Sequence, residues 1–216
     1  VEEILEKDNN CSLILPVHLM GYVSDMDKIN KIAEKNSLLV FEDSSQAHGS
    51  IYKGKKAGSM SLLSSFSFYI AHNIQAGELG AVNSNDEEII KLIRKIKSNG
   101  RVCDCIECVR SKNSCVRMSN DFDYDPRFTH DLIGFNFKTM DFQTALALEQ
   151  ISHFEEIYLS RQKNEKILNE GLNEFSDRLQ LPLYSDEVSY LAYPIVILDK
   201  SIKRQDLRFE LEKRGI

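Results

Sequence analysis

No apolar run in this sequence approaches the ~20 residues that a helix needs to span a bilayer, which excludes a membrane-spanning helix. Basic blocks are missing too. The 27 Lys+Arg are outnumbered by 33 Asp+Glu, for a formal net charge of −6, which argues against a nucleic-acid surface. Glycine and proline are scarce, at 10 and 4 of 216 residues, and there are no internal repeats or low-complexity tracts. The opening VEEILEKDNN is acidic and has no apolar stretch, so no secretory leader is expected, and the setting reads as cytoplasmic. What remains is a globular composition, 42% hydrophobic and 28% charged, enough for one large domain or one and a half. Five cysteines, an odd number, point to metal or redox chemistry sooner than to a disulfide framework. The chain starts on Val1 and stops at LEKRGI just after a helix, so a fragment of a longer protein is expected.

Short apolar runs alternate with amphipathic helices over the first 85 residues, the pattern of a largely parallel α/β sheet. CSLILPVH, SLLVFED, SLLSSFSFY and ELGAVNS read as strands, with Cys11 a core residue of the first. Ser24 is placed as the N-cap of the first long helix, with Asp27 at N3 and Ile29, Ile32 and Ala33 as its apolar stripe. A second helix is expected from about Asp86 to Ser98, burying Ile89, Leu92, Ile93 and Ile96. Residues 100–130 break this rhythm with four cysteines and little periodicity. A long helical pattern resumes from Thr139 to about Asn173, and residues 180–216 read as strand, strand and helix.

Ligands of open α/β sheets sit beyond the carboxyl ends of the strands. Three strand ends here carry polar groups: His18, Asp43, and the stretch from Ser67 to His72. A lone strand-end aspartate is commonly a cap or a solvated acid, and a lone loop histidine is commonly incidental. The combination is more specific. FEDSSQAHGSIYKGKKAGSMSLLSSFSFYIAHNIQAGELGAVNSN resembles the DegT/DnrJ/StrS family of pyridoxal-phosphate-dependent nucleotide-sugar aminotransferases, a branch of fold-type I. PVHLMGYVSDMDKI upstream and IGFNFKTMDFQTALALEQI downstream extend the resemblance over residues 12 to about 170.

The resemblance implies a fold-type I large domain, a mostly parallel sheet flanked by helices. This occupies residues 1–150 without its N-terminal part and includes the cysteine-rich excursion 100–130. A linking helix and the start of a small α+β C-terminal domain then occupy 151–216. By position, Asp43 would pair with the cofactor's pyridine nitrogen, Gln46 would approach its ring hydroxyl oxygen, and Ser67 would bind its phosphate. Asn136 would reach the phosphate in the neighbouring subunit, which implies a homodimer with shared active sites.

Where the aminotransferases carry the Schiff-base lysine, this sequence has His72, and no lysine lies between Lys56 and Lys91. Imidazole can move protons but cannot form the covalent link to the cofactor. A histidine here resembles the 3-dehydratase branch, which holds pyridoxamine phosphate non-covalently. It acts on nucleotide-linked 4-keto-6-deoxy sugars of deoxysugar, O-antigen and lipopolysaccharide biosynthesis. The alternatives are a plain aminotransferase or a non-catalytic, regulatory relative. One arm of the branch carries a [2Fe–2S] cluster served by an iron–sulfur flavin reductase. Cys103, Cys105, Cys108 and Cys115, spaced C-x-C-x2-C-x6-C, occupy the position of its cysteine loop, and four thiolates suit [2Fe–2S] or zinc. That arm takes one ligand from just after the strand-ending acid, where this sequence has Ser45, and Leu79 replaces a glycine of the usual E-G-G.

Overall fold

A computed structural model describes the chain except for residues 9, 104, 106, 110, 111, 113, 114, 116–124 and 126. A short helix α1 (Glu2–Lys7) precedes strand β1 (Leu13–Ile14), helix α2 (Met26–Lys35) and strand β2 (Leu39–Asp43). A hairpin of β3 (Ile51–Tyr52) and β4 (Lys55–Lys56) leads to β5 (Leu63–Ser67), β6 (Gly80–Asn83) and helix α3 (Glu87–Lys97). Helices α4 (Asp141–Ser152) and α5 (Phe154–Leu172), strands β7 (Leu179–Gln180) and β8 (Val196–Ile197), and helix α6 (Arg204–Glu212) complete the order.

The main sheet runs β1-β2-β5-β6. The first three strands are parallel, with Leu13 opposite Leu39 and Asp43 opposite Ser65, and β6 closes the edge antiparallel to β5. Helix α2 seals one face. Met26 and Ala33, both buried, meet Val40 of β2, with Ile14, Val23, Ile29 and Met60 around them. This is the crossover packing that parallel strands require, and it aims the ends of β2 and β5 at the same edge.

Several local expectations change. The cap of α2 is Asp25, whose Oδ1 accepts from the Lys28 N–H at 3.3 Å, while the Ser24 hydroxyl donates to Val17 O. Cys11 lies before the shortened β1, half-buried rather than in the core. Helix α3 spans its expected range and is capped by Asp86, but Leu92 is exposed, so its apolar stripe is only partly covered. The long helix is two, parted at His153, where the N–H donates to Gln150 O and the ladder tightens. The β3–β4 hairpin has no apolar alternation to mark it, because each strand is two residues long and β4 is Lys55–Lys56. Its turn is Lys53-Gly54, at φ of 50° and 80°, the left-handed pair that a two-residue hairpin favours.

Candidate active site

Successive side chains of a strand point to opposite faces, and this separates two adjacent acids. Glu42 points inward and is completely buried. Its Oε2 accepts from His18 Nε2 at 3.0 Å and the Gly58 N–H at 2.8 Å; its Oε1 accepts from the Met60 N–H at 2.7 Å and the Ser61 hydroxyl at 2.8 Å. Burial alone would raise this carboxyl's pKa, but the donors, His18 first, outweigh it and hold the pKa below the usual range. His18 Nδ1 accepts from the Ser24 N–H at 3.2 Å, which leaves the proton on Nε2 and the ring neutral. Glu42 and His18 are therefore a saturated structural pair that pins β1, β2 and the 58–61 loop together.

Asp43 is open by comparison. Its backbone extends the sheet through the His18 N–H to Asp43 O bond at 3.0 Å, and its Oδ1 accepts from the Ser45 N–H at 3.1 Å. Among the described residues no protein donor is recorded on Oδ2. Beyond it, Gln46 accepts the Met20 N–H on Oε1 at 2.8 Å, leaving its amide NH2 for another partner. Ser67 ends the neighbouring strand β5, and its hydroxyl accepts from the Tyr69 N–H at 3.3 Å. Asp43, Gln46 and Ser67 thus share one edge, the carboxyl ends of two adjacent parallel strands.

His72 sits in the turn after β5, which is closed by its own N–H to Tyr69 O and by the Ala76 N–H to Phe68 O. Its Nδ1 is buried without a hydrogen-bond partner, while Nε2 is not among the buried unpartnered atoms. The loop after β2 meets this turn through His48, whose ring centroid lies 6.3 Å from that of His72. The turn is also held from far away. Asn73 donates to Ser189 Oγ at 3.0 Å, the Ser189 N–H donates to Ser50 Oγ at 2.9 Å, and Ser50 donates to Gly21 O at 2.7 Å. A Cβ on Gly21 would come within 2.2 Å of Ser189 O, so this clasp requires glycine.

Asn136 is not drawn into this group. It is exposed on a segment that bridges to Ser98, flanked by the stacked, exposed rings of Phe135 and Phe137. Cys103 and Cys115 are half-buried, and Cys105 and Cys108 are exposed. Among the described residues, no three His, Cys, Asp or Glu side chains converge on a metal position. Residues 104, 106, 110, 111, 113 and 114 between these cysteines lie outside the described set.

The sequence profile of the DegT/DnrJ/EryC1/StrS aminotransferase family matches residues 1–216. The chain belongs to this family. A dTDP-4-dehydro-2,6-dideoxy-D-glucose 3-dehydratase of Saccharopolyspora spinosa is 34% identical over 213 residues, 94% of this chain and 45% of that protein. The lipopolysaccharide biosynthesis protein RfbH of Salmonella typhimurium is 31% identical over 196 residues, 87% of this chain and 44% of that protein. Among solved structures, Escherichia coli GDP-4-keto-6-deoxy-D-mannose-3-dehydratase with bound hydrated PLP superposes with a TM-score of 0.79 at 25% identity, covering all of this chain and 55% of that one. The Helicobacter pylori aminotransferase PseC gives 0.78 at 29% identity, with 100% and 54% covered. The chain spans about half the length of these relatives. The fold is fold-type I, and the mixed sheet with flanking helices is its large-domain core. No helix among the described residues is long and apolar enough to cross a membrane.

Two buried acids of this family member escaped sequence reading. Glu42 was visible only as the partner of Asp43 in a strand-ending pair, and nothing local says which of the two turns inward. Glu165 of α5 is 3% exposed with Oε1 unpartnered, and burial raises its pKa to about 7. Tyr22, Tyr190 and Tyr193 each lie within electrostatic reach of it. Arg161, on the same helix, donates instead to Tyr190 O and Leu191 O.

Proposed function

We propose that the full-length protein is a pyridoxamine-phosphate-dependent nucleotide-sugar 3-dehydratase in which His72 moves the proton that a lysine moves in the aminotransferases. The observation that carries this reading is His72 itself. An imidazole stands in the turn beyond β5, one nitrogen inward, in a stretch without lysine from Lys56 to Lys91. The surrounding donor set suits the cofactor. Asp43 offers a carboxylate oxygen for a protonated ring nitrogen, Gln46 an amide N–H for the ring oxygen, and Ser67 a hydroxyl for phosphate. When bound, the cofactor supplies an electron sink at its protonated ring. Asp43 keeps that ring nitrogen charged, Gln46 and Ser67 fix the ring's place, and His72 takes up and returns a proton at Nε2. The substrate class is a nucleotide-linked 4-keto-6-deoxy sugar, and loss of the C3 hydroxyl is the outcome.

Two copies complete the enzyme in this reading. Asn136 reaches the partner's phosphate site, and exposed Ile133, Phe135, Phe137 and Phe142 offer apolar surface for the contact. The deciding experiment treats one sample of full-length protein with pyridoxal phosphate and borohydride, and a second, untreated sample with pyridoxamine phosphate and CDP-, GDP- and dTDP-4-keto-6-deoxyhexoses. No lysine should carry a borohydride-stable pyridoxyl group, and one sugar should lose water. A pyridoxyl-lysine with amino-sugar product would establish the aminotransferase alternative; binding without turnover would establish a non-catalytic relative.

The C-x-C-x2-C-x6-C spacing carries a second element, a [2Fe–2S] centre served by a reductase. Only the spacing supports it, so no step of the reaction is assigned to it. Anaerobically purified protein with about two irons and two sulfides per chain would establish the centre. One zinc would make the segment structural.

A further inference from the structure

His48 has no role in the arrangement so far. It lies in the loop after β2, 4% exposed, packed between Phe66 and Phe68 with ring centroids 5.4 Å away on each side. Neither of its ring nitrogens has a hydrogen-bond partner. Buried polar atoms are nearly always satisfied, so two orphans on one ring call for a physical reason. The same two loops hold three more orphans, Ser44 Oγ, Asn73 Oδ1 and, on the ring that faces His48, Nδ1 of His72. The two imidazoles are 6.3 Å apart between centroids, with Tyr69 edge-on to His72 at 6.2 Å. At that separation the nitrogens are beyond direct hydrogen-bond reach. One bridging water between the two rings closes the gap.

We infer that His48 is the positioning residue for His72, engaging its Nδ1 side and so presenting Nε2 to the reacting atoms. This rests on the reading of His72 as the proton-moving group. A histidine base held through its far nitrogen by another side chain is a general arrangement, because the hydrogen bond on one nitrogen sets the proton on the other. His48 is suited to the task. Burial first, then the neighbouring His72, lowers its pKa to about 4, so it stays neutral at working pH. It can offer a hydrogen bond without placing a second positive charge beside His72 when that ring takes up a proton.

The test uses full-length protein labelled with 15N at histidine, because ring nitrogen shifts report the His72 tautomer without any turnover. His48→Phe fills the volume with no polar atom, and His48→Gln keeps a donor and an acceptor. One dominant His72 tautomer is expected in the parent. In His48→Phe the shifts should move toward the average of the two tautomers, and kcat should fall about tenfold with KM unchanged. His48→Gln should recover most of both. If His48→Phe fails to fold, His48→Leu serves as the apolar variant. Unchanged His72 shifts in a folded apolar variant would overturn the inference. Shifted resonances with unchanged turnover would overturn the positioning role, while His72→Asn tests the proton-moving role itself, so the two readings fail separately.

Discussion

The strand-end region and the cysteine segment differ in how their side chains are held. Around β2 and β5, bonds come from residues distant in sequence: His18 and Ser61 converge on Glu42, Met20 on Gln46, and Ser189 on Asn73 and Ser50. Residues 100–130 are tied at the neck, by the Arg101–His130 bridge and the Val102 N–H to Thr129 O bond at 3.0 Å. Among the described residues of the segment, Arg127 bonds to Asp125 and Lys112 to Glu107, both short-range pairs. Chemistry that needs fixed geometry is expected where the anchors are long-range.

The sharpest break of that contrast is at His72. His72→Asn in the full-length enzyme should lower sugar dehydration about 10³-fold with cofactor still bound, as read by absorbance and product analysis. Asp43→Asn should follow, with a loss of roughly 10²-fold and an unaltered far-UV spectrum. Turnover at the parent rate would mean that the wrong acid of the pair has been chosen.

Glu42→Gln probes the other acid through stability. An amide would turn its NH2 toward groups that themselves donate, at a cost of about 3 kcal/mol in urea unfolding. A variant as stable as the parent would show that the buried carboxylate is dispensable.

A subtler effect concerns two buried groups that titrate in opposite senses. The pKa of His48 falls from 6.5 to about 4 on folding, so the unfolded chain holds the extra proton between those values and stability drops as pH falls. The pKa of Glu165 rises from 4.5 to about 7, so the folded chain holds the extra proton and stability drops as pH rises. Between pH 4.5 and 6.5 the two slopes oppose each other. Glu165→Gln should therefore unmask stability that rises with pH, and His48→Phe stability that falls, each by at most about 1.4 kcal/mol per pH unit. Parallel pH profiles for both variants would refute the opposition.

The smallest change is expected at the cysteines' own fold. Replacing Cys105 and Cys108, both exposed, by serine in metal-free protein should shift the urea midpoint by an amount equivalent to about 0.5 kcal/mol or less. A larger loss would place these thiols in packing that the neck contacts do not supply.

The order of strands and helices was legible because each apolar run is short, carries a polar end and alternates with a helical stripe. The start of α3 was legible for the same local reason, since its apolar stripe begins just after Asp86. Asp43, Ser67 and His72 could be placed by motif, and the register of β2 against β5 brings the first two to one edge. The inward turn of Glu42 was not legible, since it depends on which face of β2 meets the 58–61 loop. Nor was the nearness of His48 to His72, which two separate loops create. Cys11 falls outside the core because only Leu13 and Ile14 pair as β1, leaving it two residues before the strand.

The clasp at Ser189 has a consequence for biogenesis. Its bonds to Ser50 and Asn73 span 139 and 116 residues of sequence. During synthesis the β2 and β5 ends leave the ribosome long before their anchor is made, so the His72 turn must wait for the chain beyond α5. A nascent chain stalled before residue 189 would carry the sheet but not the finished turn, and proteolysis within residues 68–77 would be the signature of that interval.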